Sequence, residues 1–219
     1  MEIYILGISG SPISEGNCDI VLKEALKTIE GEEGVRTEFI SLAKKEILEC
    51  RHCNWCVRNQ TEEAFCVQKD DMTPLFPKFL QADGVILATP VHIGRLSGIM
   101  ACMIDRLRVF VHGNVHKWSL RNKVGGGIAV AFFRGGGVET TLQSLQTTFH
   151  VFDMIVAKSP MYQLGAACLT SIGGEGKLKK GVRHMALEDE FGMMSIRLLS
   201  KRVLELARII KAGQQALKG

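Results

Sequence analysis

The sequence predicts a doubly wound α/β domain, a five-stranded parallel sheet sandwiched between two layers of helices. Two observations carry that expectation. Short, β-branched apolar runs alternate with stretches of helical periodicity along most of the chain. The first run ends in a turn of small residues that leads directly into a helix. At 219 residues, 46% hydrophobic and 23% charged, the chain can bury one sizeable core and does not resemble a disordered one.

Residues 3–8 are apolar throughout, as a strand buried on both faces should be. A helix is expected from Asn17 to Ile29, where Ile20, Leu22, Ala25, Leu26 and Ile29 share one face. Residues 35–41 alternate like an edge strand, and 73–81 read as a helix. Residues 84–88 form a buried strand, 98–111 a helix, 124–133 a strand, 139–149 a helix and 151–157 a last strand. Ile196, Leu199, Val203, Leu206 and Ile210 give a core stripe to a closing helix over 192–217. The whole chain, 1–219, reads as one domain. A cysteine-rich loop occupies 48–70. The glycine-rich stretch 159–190 reads as irregular, with the length of a lid, an interface arm or a mobile segment.

Several classes are excluded or disfavoured. There is no apolar run long enough for a bilayer, and the first residues lack a basic secretory leader, so a cytoplasmic protein is the expectation. The net charge of +4 is mild. Its densest patch, Lys177, Lys179, Lys180 and Arg183, has no aromatic platform beside it, which argues for a solvated loop rather than nucleic-acid binding. The patch can still attract an anionic partner such as NADPH or an acidic redox protein. The loop after the first strand lacks G-x-G-x-x-G, and the chain does not contain G-x-x-x-x-G-K-[ST].

The segment from Gly10 to Cys18 offers glycine amides, hydroxyls and a helix N-terminus, the donors a phosphate monoester needs. An ordinary strand-to-helix turn uses the same residues. Further on, Pro90, Val91, His92, Ile93 and Gly94 follow the third strand, while Arg134, Gly135, Gly136 and Gly137 follow the fourth. Ligands of open α/β sheets collect at such carboxyl ends. These loops can offer amides and apolar surface to a flat flavin ring; His92 is either a ring contact or a surface hydrogen-bonding group.

Four of the seven cysteines, Cys50, Cys53, Cys56 and Cys66, form a C-x2-C-x2-C-x9-C pattern. Three closely spaced thiolates suit one corner of an iron–sulfur cubane better than a tetrahedral zinc, which favours two separated pairs. Zinc and free redox-active thiols remain alternatives. Trp55 can shield such a centre, and Cys102 and Cys168 read as small core residues.

The order of these motifs, with Asp105-Arg106 and the Asp189–Gly192 segment, resembles the NADPH-dependent FMN reductase family. The cysteine pattern followed by Lys69-Asp70-Asp71-Met72 resembles its iron–sulfur flavoproteins. The resemblance implies a flavodoxin-like fold, bound FMN, a [4Fe–4S] cluster and a homodimer or homotetramer. It places Ser11, Ser14, Gly16, Asn17 and Cys18 around the FMN phosphate. Pro90, Val91, His92, Ile93, Gly94, Arg134, Gly135, Gly136 and Gly137 would surround the ring, and Cys50, Cys53, Cys56 and Cys66 would hold the cluster. Three positions depart from the family pattern: Ile13 stands where a basic residue is common, Cys18 where a hydroxyl is usual, and His92 where Tyr is common. The gap before Cys66 is also longer than usual. The expected activity is electron transfer between FMN and the cluster, with ferredoxin or NAD(P)H as redox partner. The alternatives are an NAD(P)H-dependent FMN or quinone reductase without a cluster, and a redox-responsive binding protein.

Overall fold

Six strands, all paired in parallel, meet in one sheet that organises the described residues. The computed structural model describes residues 1–217, so the last two residues of the expected 1–219 domain lie outside the described range. Strands β1 (Ile3–Ser9), β2 (Val35–Ser41), β3 (Gly84–Pro90), β4 (Val124–Ala131) and β5 (Ile155–Ala157) line up in the order β2-β1-β3-β4-β5, all parallel. A further strand, β6 (Ala166–Leu169), also pairs with β4.

The last sheet position is thus built from two pieces. β5 pairs with the first part of β4, and β6 with its second part, from Ile128 to Ala131. Between them the chain leaves the sheet, and Ser159 N–H donates to the Gly165 carbonyl to close the excursion (3.0 Å). The stretch 159–190 is therefore less irregular than its glycine content implies: it holds β6 and a 3-10 turn at Met185–Glu188. Ala166, Ala167 and Cys168 are small and carry little of the bulky β-branched signal that marks a strand.

Helix α1 (Asn17–Glu30) and the long α7 (Glu190–Ala216) cover one face of the sheet. On the other face lie α3 (Phe76–Gln81), α4 (Gly98–Arg106), α5 (Val109–His112) and α6 (Val138–Val151), together with the cysteine loop and its short helix α2 (Trp55–Asn59). The three consecutive glycines of β4 have a packing cause. A Cβ on Gly125 would fall 2.4 Å from the Phe149 ring of α6, and one on Gly126 would fall 2.8 Å from Val203 of α7. Helices from both layers press onto β4, and glycine is what lets them.

Two element boundaries differ from the sequence expectation. The run 151–157 is not one strand, because α6 continues through Val151 and the chain turns at Asp153, which adopts a left-handed φ of 56°. Phe152 and Met154 are buried within that turn, so apolar content alone mimics a strand. The expected helix 98–111 breaks between Arg106 and Val109. There Arg108 N–H bonds to the Asp105 carbonyl in a tighter i−3 turn, and Arg108 faces the cysteine loop. At α7, Asp189 is the N-cap: its Oδ1 accepts from Gly192 N–H (2.9 Å) and its Oδ2 accepts from Leu169 N–H (2.7 Å), which fixes the helix to β6.

Candidate functional site

The sheet reverses direction of winding between β1 and β3, and a crevice of about 450 Å³ opens at the carboxyl ends of the strands there. Its floor and one wall come from the turn after β1. Ser11, Gly16, Asn17 and Cys18 line it. Ser11 is buried and its Oγ accepts from Ile13 N–H (3.1 Å), which holds the turn closed. Gly16 is the N-cap of α1 and makes no side-chain cap, leaving the first amides of the helix unclaimed by a side chain at that position. The Cys18 thiol is buried, and burial pushes it up to about 12, so it stays a neutral thiol at physiological pH. Ser14 sits exposed on the turn and does not line the crevice.

The opposite wall is Pro90, Val91 and His92 at the end of β3. Val91 N–H donates to the Val130 carbonyl (2.9 Å), which extends the β3–β4 pairing into this wall. His92 and Arg95 bond to each other's backbone across a two-residue turn, with Ile93 (φ 49°) and Gly94 (φ 76°) at its tip. Ile93 is fully exposed there. A β-branched residue held at positive φ is uncommon and concentrates at functional loops.

Arg134, Gly135, Gly136 and Gly137, after β4, lie outside the crevice lining, as do Ile93 and Gly94. Arg134 turns away and donates from Nη2 to the Gly173 carbonyl (2.8 Å). It lines a neighbouring cavity of about 500 Å³ that also contains Lys179 and Glu188. Gly135 is exposed, and the Gly136 N–H closes a turn onto the Phe133 carbonyl (3.0 Å). Gly137 (φ 105°) rests on Gly94: a Cβ added to it would lie 2.5 Å from the Gly94 Cα. Thr140 Oγ1 also donates to the Gly94 carbonyl (2.6 Å). Gly94 and Gly137 therefore join the loops of β3 and β4 backbone to backbone.

The cysteine loop lies at the far end of α4. Cys56 is buried in α2, Cys50 and Cys66 are half-buried, and Cys53 is exposed. Two arginines serve this loop. Arg106 is 1% exposed; its guanidinium donates to Asp70 Oδ2 (2.5 Å), to the carbonyls of Leu48 and Gln68, and to Cys66 Sγ (3.5 Å). Arg108 donates to Asn54 Oδ1 and meets His52 Nε2, each at 2.7 Å. Burial pushes the Cys56 thiol up, the neighbouring thiols of Cys66 and Cys50 add to this, and the Arg108 guanidinium pulls the other way. Left-handed backbone at His52 and Asn54 curls the motif tightly. Buried Gln60 anchors the loop's far side, accepting from Val115 and His116 N–H through Oε1.

A sequence model of the NADPH-dependent FMN reductase family matches residues 3–167. An iron–sulfur flavoprotein of Methanocaldococcus jannaschii is 39% identical over 209 residues, covering 94% of this chain and 98% of that protein. The chain is a member of this family, in its iron–sulfur flavoprotein branch. An iron–sulfur flavoprotein of Methanosarcina thermophila is 30% identical and covers 96% of this chain and 98% of its own. Among solved structures, RosB with bound 8-demethyl-8-formylriboflavin-5′-phosphate has a TM-score of 0.71 at 17% identity, covering 99% of this chain and 86% of that one. A WrbA-like flavodoxin from Agrobacterium tumefaciens gives 0.60 at 14%, covering 94% and 98%. These structures bear on the fold, which is flavodoxin-like.

The residues of this iron–sulfur flavoprotein family member fit both groups that the family name implies. A crevice with apolar Pro90 and Val91 on one wall and a helix N-terminus on the other suits an amphipathic flavin phosphate. At the loop, four soft thiol donors and two guanidiniums suit an iron–sulfur centre, whose thiolate ligands are anionic. The buried Nε atoms of Arg106 and Arg108 have no hydrogen-bond partner. Among the described residues no three His, Cys, Asp or Glu side chains converge on one point, so the fit rests on donor chemistry. No described helix is long and apolar enough to cross a membrane.

Sequence reasoning missed the third side of the crevice. Thr170 follows β6, the strand hidden among small residues, and Val130 and Phe132 belong to one face of β4 and its extension. Period-two alternation would have paired Val130 with Phe132. Arg183 and His184 also line the crevice and come from the segment read only as a basic patch.

Gly137→Ala should test how the two loops are joined. The added methyl meets backbone rather than a movable side chain, and the φ of 105° is strained for alanine. We expect a loss of about 1–3 kcal/mol in urea unfolding and weaker flavin retention; a stability equal to that of the parent would show that the loops separate freely.

Proposed function

We propose that the chain is an FMN-dependent electron-transfer flavoprotein that passes electrons between FMN in the β1/β3 crevice and a [4Fe–4S] cluster on Cys50, Cys53, Cys56 and Cys66. The observation that carries this reading is the presence in one chain of a strand-end crevice and a four-thiol loop hung on a buried arginine. When bound, FMN supplies one- or two-electron chemistry, while a cubane exchanges one electron at a time. The protein's part is to hold, orient and shield. The turn from Ser11 to Cys18 receives the phosphate, Pro90 and Val91 pack on the ring, and Arg106 and Arg108 offset the negative charge of the thiolates. No acid–base residue is required for electron transfer itself.

The two sites are separated. Ser97, the N-cap of α4, donates to the Gly10 carbonyl beside the crevice (2.5 Å), and Arg106 at the helix's other end meets Cys66. The nine residues of α4 span about 13 Å at ~1.5 Å each, so the centres of one chain do not touch. A homodimer or homotetramer that brings the cysteine loop of one chain to the crevice of another fits this spacing.

A second reading, an NAD(P)H-dependent FMN or quinone reductase, draws on the cavity beside the crevice, where Arg134 offers a cation to a pyridine nucleotide and Lys179 is paired with Glu188. Anaerobic stopped-flow mixing separates the two. Fast flavin bleaching by reduced ferredoxin, with slow or no bleaching by NADPH, is the expected result. Fast bleaching by NADPH alone would favour the reductase.

A further inference from the structure

The turn after β1 is a poor phosphate site on its own account. Ile13 is 67% exposed where a cation would be useful, and the Cys18 thiol is a weak donor. One loop amide is already spent: Glu15 N–H donates to Asp19 Oδ2 (3.0 Å). Ser11 Oγ is engaged within the turn by Ile13. Asp19 is fully buried directly behind the loop, where its carboxyl also accepts from Ser41. The Glu15 carboxylate lines the same crevice, partly neutralised by Lys23 at 2.7 Å. A dianionic phosphate entering here meets acidic neighbours and few free donors.

A cation is nonetheless supplied, from a segment far away in sequence. Arg183 lines the crevice next to this turn. The segment is stapled in place by two bonds to the turn itself. His184 Nε2 lies 3.0 Å from the Glu15 carbonyl, and Ala186 N–H donates to Asn17 Oδ1 at 3.0 Å. Of the basic patch that contains Arg183, Lys177 and Lys179 are paired with Glu175 and Glu188. Among the described residues the Arg183 guanidinium makes no ion pair or hydrogen bond, although its charge adds to that of Lys23 in holding the Glu15 carboxyl below its ordinary value; Lys180 does not line the crevice.

We infer that Arg183 is the phosphate-binding cation of the FMN site, taking over from the turn the charge that Ile13 does not provide, with His184 and Asn17 as the positioning residues that hold its segment over the turn. It makes the site selective for a flavin 5′-phosphate over the unphosphorylated flavin. A guanidinium suits this role because its fork matches phosphate oxygens. The inference rests on the FMN reading above.

The test is a titration of flavin-free protein with FMN and, separately, riboflavin, followed by flavin fluorescence. Parent protein should bind FMN more tightly than riboflavin. Arg183→Gln should weaken FMN by roughly 10- to 100-fold and leave riboflavin nearly unchanged, as loss of a charge-assisted hydrogen bond predicts. Arg183→Lys should recover part of the loss, and Lys180→Gln should match the parent. The salt dependence of FMN binding should flatten in Arg183→Gln. Unchanged FMN affinity in Arg183→Gln overturns the inference, as does an equal loss for both flavins, which marks a purely structural role. Failure of the parent to bind FMN would overturn the flavin reading itself, and the inference with it.

Discussion

Cys56→Ser, purified without oxygen, should carry its flavin and lose its iron. Cys56 is the buried member of the cysteine set and the third thiol of the closely spaced run, beside Arg108. A serine oxygen is a harder and less acidic donor than a thiol, and it binds cluster iron much more weakly than a thiolate does. Iron should fall from about four per chain to below one, with acid-labile sulfide falling in parallel. The crevice lies at the opposite end of α4, so FMN content should not change. Cys102→Ser, outside the motif, should keep its iron. Full iron and sulfide in Cys56→Ser would remove Cys56 from the ligand set.

Arg106→Met should destabilise the whole molecule. The arginine and Asp70 are a nearly dry pair, with side chains 1% and 4% exposed and 2.5 Å apart. Removing one partner strands the other's charge, which typically costs about 3–5 kcal/mol. The same guanidinium also ties Leu48, Gln68 and Cys66, so the loop loses its post as well as its charge balance. Urea unfolding read by circular dichroism measures the loss, and a change within 1 kcal/mol of zero would contradict it. Arg106→Met combined with Asp70→Leu should recover much of the stability, because an apolar pair leaves no buried charge. The pH dependence has a definite sign. Burial would raise the Asp70 carboxyl, but Arg106 and the amides of Leu48 and Met72 outweigh it and leave it below its ordinary 3.8. Its contribution is therefore complete above that unfolded value and is lost as the pH falls through the lower folded one.

The legible parts of the fold were those whose signal is local. The apolar strand at 3–8 and the helical stripes of α1 and α7 follow from periodicity, and the order of elements then limits the topology. β6 escaped because its residues are small and its strand identity comes from pairing with β4, a contact between distant segments. Asp153 escaped for a related reason: an apolar run reads as one element, and only the folded chain shows that it turns there. At the site, Ser11, Gly16, Asn17, Cys18, Pro90, Val91 and His92 were recognisable because their loops follow strands directly. Arg183 was visible as charge but not as a crevice residue, since nothing local reveals that Asn17 and His184 bring its segment to the turn.

The glycines after β4 show a different limit. Motif order points to Gly137 as a ligand contact, whereas its position against Gly94 gives it a packing function first. Glycine marks close approach without saying what approaches.

The central claim is that flavin and cluster reside in the same chain. Protein prepared anaerobically and reconstituted with FMN, iron and sulfide should hold about one FMN and four iron with four sulfide per chain, with flavin bands above a broad iron–sulfur absorbance. Full FMN with no iron or sulfide, or with one zinc per chain in their place, would contradict it.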